Sequence, residues 1–224
     1  GDFFDSGGAK AGTAILDISE AEKPKVSSIW INDSKTRGAS STLFDGQTLF
    51  LAAMHPGVFV FSVTEDHGLQ LIRNVNLDLN FPKPNPTASQ RPNARGLAKR
   101  GNHLFVAFDS GGLRVLDISN LQEMREVGRY INSKMLHKQQ AYNHVIIDQN
   151  LAYVATDYAG VEVLDVSDIS NIRQVAWWNP WRAGLPTNIW LNSPGQTSQL
   201  ILDSARKLLY VSAGDSELVI LDVS

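Results

Sequence analysis

The sequence contains no cysteine, which excludes a disulfide-stapled fold, a thiol nucleophile and any thiolate-bound zinc or iron–sulfur cluster. It also lacks an excess of either charge. Twenty Lys and Arg stand against twenty-three Asp and Glu, a net charge of −3, without the basic footprint of a nucleic-acid binder. No nucleic acid is expected as a partner. No apolar run approaches the eighteen or so residues of a membrane span, and Gly1-Asp2-Phe3-Phe4 has neither the basic start nor the apolar stretch of a signal peptide. Helical periodicity is scarce too: the best candidate, 120–125, amounts to one turn. What is present is 43% hydrophobic and only 19% charged residues in 224, enough to bury a large core without covalent staples. A globular domain remains, rather than a disordered chain or a coiled coil.

That domain is built from a repeat. Gly111-Gly112-Leu113-Arg114-Val115-Leu116-Asp117-Ile118-Ser119 recurs as Ala159-Gly160-Val161-Glu162-Val163-Leu164-Asp165-Val166-Ser167, and again as Ser216-Glu217-Leu218-Val219-Ile220-Leu221-Asp222-Val223-Ser224. Weaker copies surround Asp17 and Ser62. The repeats centre on positions 17, 62, 117, 165 and 222, a period of about fifty with variable insertions. Each period resolves into four short segments rich in β-branched and aromatic residues, bounded by turn residues; in the third they fall at 94–99, 103–108, 113–118 and 125–131. Repeated four-stranded antiparallel units predict an all-β fold, a β-propeller with five visible blades and incomplete end blades, spanning 1–224 as one domain or a section of one.

Leu151-Ala152-Tyr153-Val154-Ala155-Thr156-Asp157-Tyr158-Ala159-Gly160-Val161-Glu162-Val163-Leu164-Asp165-Val166-Ser167 most closely resembles the repeat of the LVIVD family. The resemblance implies a propeller found mostly in exported or cell-surface proteins, and so an extracytoplasmic location. The second copy departs most, with Met54-His55-Pro56-Gly57 where the third has Asp109-Ser110-Gly111-Gly112.

The recurrent Asp17, Asp117, Asp165 and Asp222, each followed two residues later by Ser, are read as turn-forming acceptors of backbone N–H groups rather than a ring of reactive carboxylates. Alternation of Val115 and Asp117 against Leu116 and Ile118 fits a strand enclosed on both faces by neighbouring blades. Leu16, Phe61, Leu116, Leu164 and Leu221 are expected to be buried at equivalent positions.

Function in such an architecture is expected on one face, where the second-to-third strand turns and the connections between blades both open. The long insertions at 77–93 and 179–196 rise there. Trp181 and Trp190 lie outside the strand pattern and are candidates to stack on a sugar or anchor a protein. Alignment of the innermost strand starts places Arg95, Asn143, His144 and Gln199 around the channel mouth, with His55, Asp109 and Asp157 on the adjoining turns. No metal site is expected: histidine spacings suit no zinc motif, and no calcium loop occurs. No cofactor is expected either, because P-loop, G-x-G-x-x-G and G-x-S-x-G signatures are lacking. The residues therefore favour a non-catalytic binding or scaffold propeller with a protein or glycan ligand. The alternative is a hydrolase or lyase using His144 or His55 with Asp109 or Asp157. Phe4-Asp5-Ser6-Gly7-Gly8 matches Phe108-Asp109-Ser110-Gly111-Gly112, and 221–224 matches 116–119. Each end blade is thus expected to be short, to be completed by further segments of a longer protein or by another chain.

Overall fold

The computed structural model describes residues 8–82, 92–214 and 217–224. The matches drawn at 4–7, and Asp215-Ser216, lie outside these, as do the insertion residues 83–91.

The described chain forms seventeen strands in five antiparallel sheets. Blade 1 is a ribbon of β1 (Lys10–Asp17) and β2 (Lys25–Lys35). Blade 2 holds β3 (Ser41–Asp45), β4 (Thr48–Ala52), β5 (Val58–Val63) and β6 (Leu69–Val75). Blade 3 holds β7 (Gly96–Arg100), β8 (His103–Ala107), β9 (Leu113–Asp117) and β10 (Arg125–Tyr130). Blade 4 comprises β11 (His144–Asp148), β12 (Leu151–Ala155), β13 (Val161–Asp165) and β14 (Arg173–Trp178). Blade 5 has three strands, β15 (Gln199–Asp203), β16 (Leu208–Ser212) and β17 (Leu218–Asp222). The first strands of consecutive blades, β3, β7, β11 and β15, touch in that order and form the inner wall. The fold is a β-propeller arc of four-stranded blades with shorter sheets at both ends. Among the described residues the helical elements with full bounds are single 3-10 turns at Ser133–Met135, Ile169–Asn171 and Trp190–Asn192; 120–124 is only a turn, and Arg125 opens β10.

Because successive side chains of a strand point to opposite sides, each third strand serves two interfaces. Phe61, Leu116 and Leu164 are wholly buried against the preceding blade, whereas Val60 and Val115 are buried against the following one. This corrects the expectation for two of the five equivalent residues. Leu16 is 54% exposed, since no described blade precedes β1, and Leu221 is half-buried, since no described outer strand lies beside β17. On the other side of the arc Ile220 and Ile201 are exposed for the same geometric reason.

The recurrent Asp–Ser pair is a turn device. Asp17, Asp117, Asp165 and Asp222 each accept the backbone N–H of the Ser two residues on, at 2.9 Å. The backbone N–H and hydroxyl of these serines, the hydroxyl foremost at Asp165, hold all four carboxyls below their ordinary range.

Candidate functional site at the channel mouth

Four turns between second and third strands share one backbone plan. The N–H of the first residue reaches the carbonyl four residues on: Ala53 to Gly57 and Ala213 to Glu217 at 2.9 Å, Phe108 to Gly112 and Thr156 to Gly160 at 2.8 Å. Gly112 and Gly160 have φ of 80° and 82°, and a Cβ there would stand 2.1 and 2.0 Å from the carbonyl oxygens of Tyr130 and Trp178. Only glycine fits. The second residue of the turn in blades 2, 3 and 4, Met54, Asp109 and Asp157 respectively, also has positive φ (60°, 49° and 54°). That twist lets its backbone bridge to the next blade. Asp109 exchanges hydrogen bonds with Tyr142 at 3.1 and 3.0 Å, Met54 does so with Ala94 at 3.2 and 3.0 Å, and the Asp157 carbonyl accepts from Thr197 at 2.9 Å.

These bridges set Asp109 and Asp157 beside the starts of the inner strands, where two equivalent polar groups form. In blade 3 the Asp109 carboxylate accepts from Asn93 Nδ2 at 2.6 Å and from the Arg95 guanidinium at 3.3 Å. In blade 4 Asn143 occupies the place of Arg95 and donates to the Thr197 carbonyl at 2.9 Å. Asp157 is only 8% exposed. Burial pushes its carboxyl up, while the nearby Trp190 indole N–H, a backbone N–H, Arg95 and Asn143 draw it partly back. The Trp190 N–H stands close to this carboxylate but outside hydrogen-bond geometry, so Trp190 Nε1 and Asp157 Oδ1 both lack a hydrogen-bond partner. Asn93 Oδ1 and Asn143 Oδ1 lack one as well.

Arg95, Asp109, Asn143, Asp157 and Trp190 are thus brought together. The other candidates are not. His144 Nδ1 accepts the Leu200 backbone N–H at 3.3 Å, and burial pushes its imidazole down, so near neutral pH the ring is an uncharged lining group between β11 and β15. Gln199 is exposed on β15, and His55 sits within the β4–β5 turn. Trp181 packs edge-on to Trp178 with ring centres 5.5 Å apart, and its ring fills the space beside Gly195. Trp190 packs with Met135, Tyr158, Ala159 and Ala183. The 179–196 insertion therefore forms a cap over the blade 4 turn instead of displaying free aromatic rings, tied down by Lys138 to the Asn188 carbonyl at 2.5 Å and by Asn179 Oδ1 to the Ala183 N–H at 2.9 Å.

Asn93 and Thr197 belong to the site and were not anticipated. The available signal was position: Asn93 lies two residues before Arg95, hence on the same side of an extended segment. Two buried ionisable residues behind the mouth were also missed. Arg114 and Glu162 occupy the same place on β9 and β13, and each grips the connection leaving the preceding blade. Arg114, wholly buried, donates to Glu126 at 2.7 Å, to the carbonyls of Gly111 (2.7 Å), Asp78 (2.8 Å) and Phe81 (3.2 Å), and lies over the Phe81 ring. Glu162, also wholly buried, accepts from Asn132 Nδ2 at 2.7 Å and Tyr142 OH at 3.2 Å. Burial pushes its carboxyl up to about 7, against the opposing pull of these hydrogen bonds.

The recurrent turn, the bridging Asp and the Asp–Ser exit from the third strand coincide with segments matched by the LVIVD repeat family model, at 93–132, 143–176 and 207–224. The chain carries LVIVD repeats. No curated protein matches its sequence significantly. Among solved structures, the chain is similar to the periplasmic gluconolactonase PpgL of Pseudomonas aeruginosa, a β-propeller, with a TM-score of 0.63 and 18% identity over 90% of this chain and 57% of that one. It is also similar to two computationally designed proteins. Ika8 gives a TM-score of 0.60 at 13% identity, covering 96% of this chain and 54% of the designed one, and Ika4 gives 0.55 at 12%, covering 83% and 91%. At these identities the likeness is one of fold. The chain spans little more than half the length of Ika8 and PpgL.

Proposed function

We propose that this is a non-catalytic binding propeller that works outside the cytoplasm and holds a small polar ligand at the channel mouth of blades 3 and 4. One observation carries the reading: the cross-blade bridges gather Arg95, Asp109, Asn143 and Asp157 at the starts of two adjacent inner strands, and convergent polar groups of this kind are what a binding site is built from. The extracytoplasmic setting is supported by the resemblance and by a periplasmic protein of the same fold. The exposed Leu16, Ile29, Ile201 and Ile220 on the end sheets support their being covered by further blades or by another chain.

Catalysis by the same face is the competing reading. Against it, Asp109 is already engaged by Asn93 and Arg95, and His144 by a backbone N–H. The test is a melting-temperature screen of small polar metabolites on the wild-type protein and on Asp157→Asn, alongside ester and lactone turnover assays. Compounds that raise the wild-type melting temperature but not that of the variant support the reading. Equal shifts in both place the site elsewhere, and turnover abolished by His144→Gln would favour an enzyme.

A further inference from the structure

Blades 2 and 3 meet differently from blades 3 and 4, and one position in the outer strand marks the difference. Arg73 is paired with Val60 and Gly128 with Val115, so the two occupy the same place, and both lie on the side that faces the following blade. Gly128 lets the Ile169–Asn171 turn of blade 4 pack directly against β10, since a Cβ there would stand 2.3 Å from the Ile169 carbonyl oxygen. Blade 3 has the same turn at 121–123: Asn120 Oδ1 accepts the Gln122 N–H at 3.0 Å, as Asp168 Oδ1 accepts that of Ser170 at 2.9 Å. Here, however, a full arginine side chain stands between strand and turn, its guanidinium donating to the Gln122 carbonyl. Beside it, between the outer strands of blades 2 and 3, lies a cleft of about 480 Å³, a size suited to a small molecule.

The floor of the cleft is the apolar edge of the interface, with Val75, Leu77, Leu116 and Met124. Its charged groups are the guanidiniums of Arg73, Arg125 and Arg129 and the carboxylates of Asp78 and Glu126. Both carboxylates are engaged. Asp78 accepts from Arg129 at 3.0 Å and from the Asn80 N–H at 2.8 Å, and Glu126 pairs with the buried Arg114 at 2.7 Å and with Arg129 at 3.6 Å. Arg73 and Arg125 form no ion pair among the described residues. Arg125 lies opposite Asp117 in the β9–β10 ladder, near enough to favour its charged form, but that carboxylate accepts the Ser119 N–H instead. Arg73 is half-buried and Arg125 exposed, so a molecule entering from water can reach both.

Ligand classes fit this lining unequally. A cation would meet three guanidinium groups. A neutral apolar molecule would cover Arg73 and Arg125 and leave their N–H groups without acceptors. Three positive charges against two negative leave a single positive charge, which one carboxylate cancels, whereas a dicarboxylate or a doubly charged phosphate would place excess negative charge beside Asp78 and Glu126. A carboxylate also matches the planar fork of a guanidinium. We propose that this cleft is a second binding site, for a small organic acid with a single carboxylate held by Arg73 and Arg125. It shares no residue with the channel mouth and does not depend on the mouth being a site.

The test is calorimetric and saturation-transfer NMR titration of the whole protein, at low ionic strength, with lactate, benzoate and glucuronate. Lactamide, benzamide, succinate and inorganic phosphate are the comparison probes. At least one of the three acids should bind, and the matching amide should not. Arg73→Gln and Arg125→Gln should each weaken the acid about tenfold, the effect of losing one hydrogen bond to a charged group. Each variant is first checked for an unchanged circular dichroism spectrum; Arg125 is exposed, and its variant carries the test if Arg73→Gln alters the fold. Arg206→Gln, which removes the same charge from the β15–β16 turn, and Asp157→Asn at the mouth should leave the affinity unaltered. Acid binding that survives both arginine variants, that falls equally in Arg206→Gln, or that an amide reproduces overturns the proposal. Succinate or phosphate bound through Arg73 and Arg125, with none of the three acids bound, overturns the ligand class. Silence from every probe overturns the site.

Discussion

Glu162 offers the most quantitative test of the packing between blades. Its carboxyl is enclosed by Asn132, Tyr142 and Tyr130, and its pKa rises from 4.5 to about 7 because burial penalises the charged form more than these donors reward it. A group that binds its proton more tightly when folded stabilises the fold fully below the unfolded pKa, and that stabilisation is lost as pH rises through the folded one. The window is therefore roughly pH 4.5 to 7. At 1.36 kcal/mol per pKa unit, the loss across it amounts to about 3 kcal/mol from this one side chain. The exposed aspartates at the turns act in the opposite sense, since their lowered values make stability fall at acid pH, so the wild-type curve alone would not isolate Glu162. Glu162→Gln retains an acceptor for Asn132 and cannot ionise. Urea unfolding of both proteins between pH 4 and pH 8.5 should show the variant gaining about 3 kcal/mol relative to the wild type across the window. Parallel curves would refute the reasoning, because they would mean that Glu162 is solvated or already ionised at pH 5.

Other substitutions probe separate parts of the argument. Leu164→Ala removes a wholly buried side chain and should cost about 2 to 5 kcal/mol in urea unfolding, whereas Leu16→Ala, at the half-exposed equivalent, should cost less than about 1 kcal/mol. Gly160→Ala, whose Cβ would collide with the Trp178 carbonyl, should cost at least about 2 kcal/mol, while Gly101→Ala, with φ of 54° and open space around it, should cost only about 1 kcal/mol. Arg114→Lys keeps the charge but loses the planar fork that reaches Glu126 and three carbonyls. It should destabilise the protein by about 3 kcal/mol in the same assay, with faster proteolysis near residues 77–82.

The blade plan was legible because a strand has a period of two and the chain repeats it. Leu113 to Ile118 already displays two enclosed faces, and Gly112 announces a turn that admits no side chain. The exposure of Leu16 was not legible, since the same motif is buried or exposed according to which blade stands beside it, a relation between distant segments. Arg114 and Glu162 escaped notice because a lone charge in a third strand looks like an ordinary solvent-facing residue. Their partners include Asp78 and Phe81 for one and Asn132 for the other, on irregular connections with no repeat to align. The mouth was half legible. Register placed Arg95 and Asn143 around the mouth and Asp109 and Asp157 on the adjoining turns without pairing them, because the cross-blade bridges that seat them, and with them Thr197, involve residues 33 to 40 positions apart.

The four strand-built apolar clusters straddle successive pairs of blades: Ala11 with Phe61, Val60 with Leu104, Val115 with Leu164, and Tyr153 with Leu209. Thermodynamically such a protein behaves as a one-dimensional array, in which each unit is coupled to its nearest neighbours. Opening should therefore begin as fraying of the outermost ribbon and travel inward. Amide exchange is expected to be slowest in β8, β9, β12 and β13, which lie in sheets clamped on both sides, and fastest in β1 and β17. A lesion in one interface would then lower the protection of the two blades that share it before it reached any other, giving the arc a graded cooperativity rather than a single all-or-none transition.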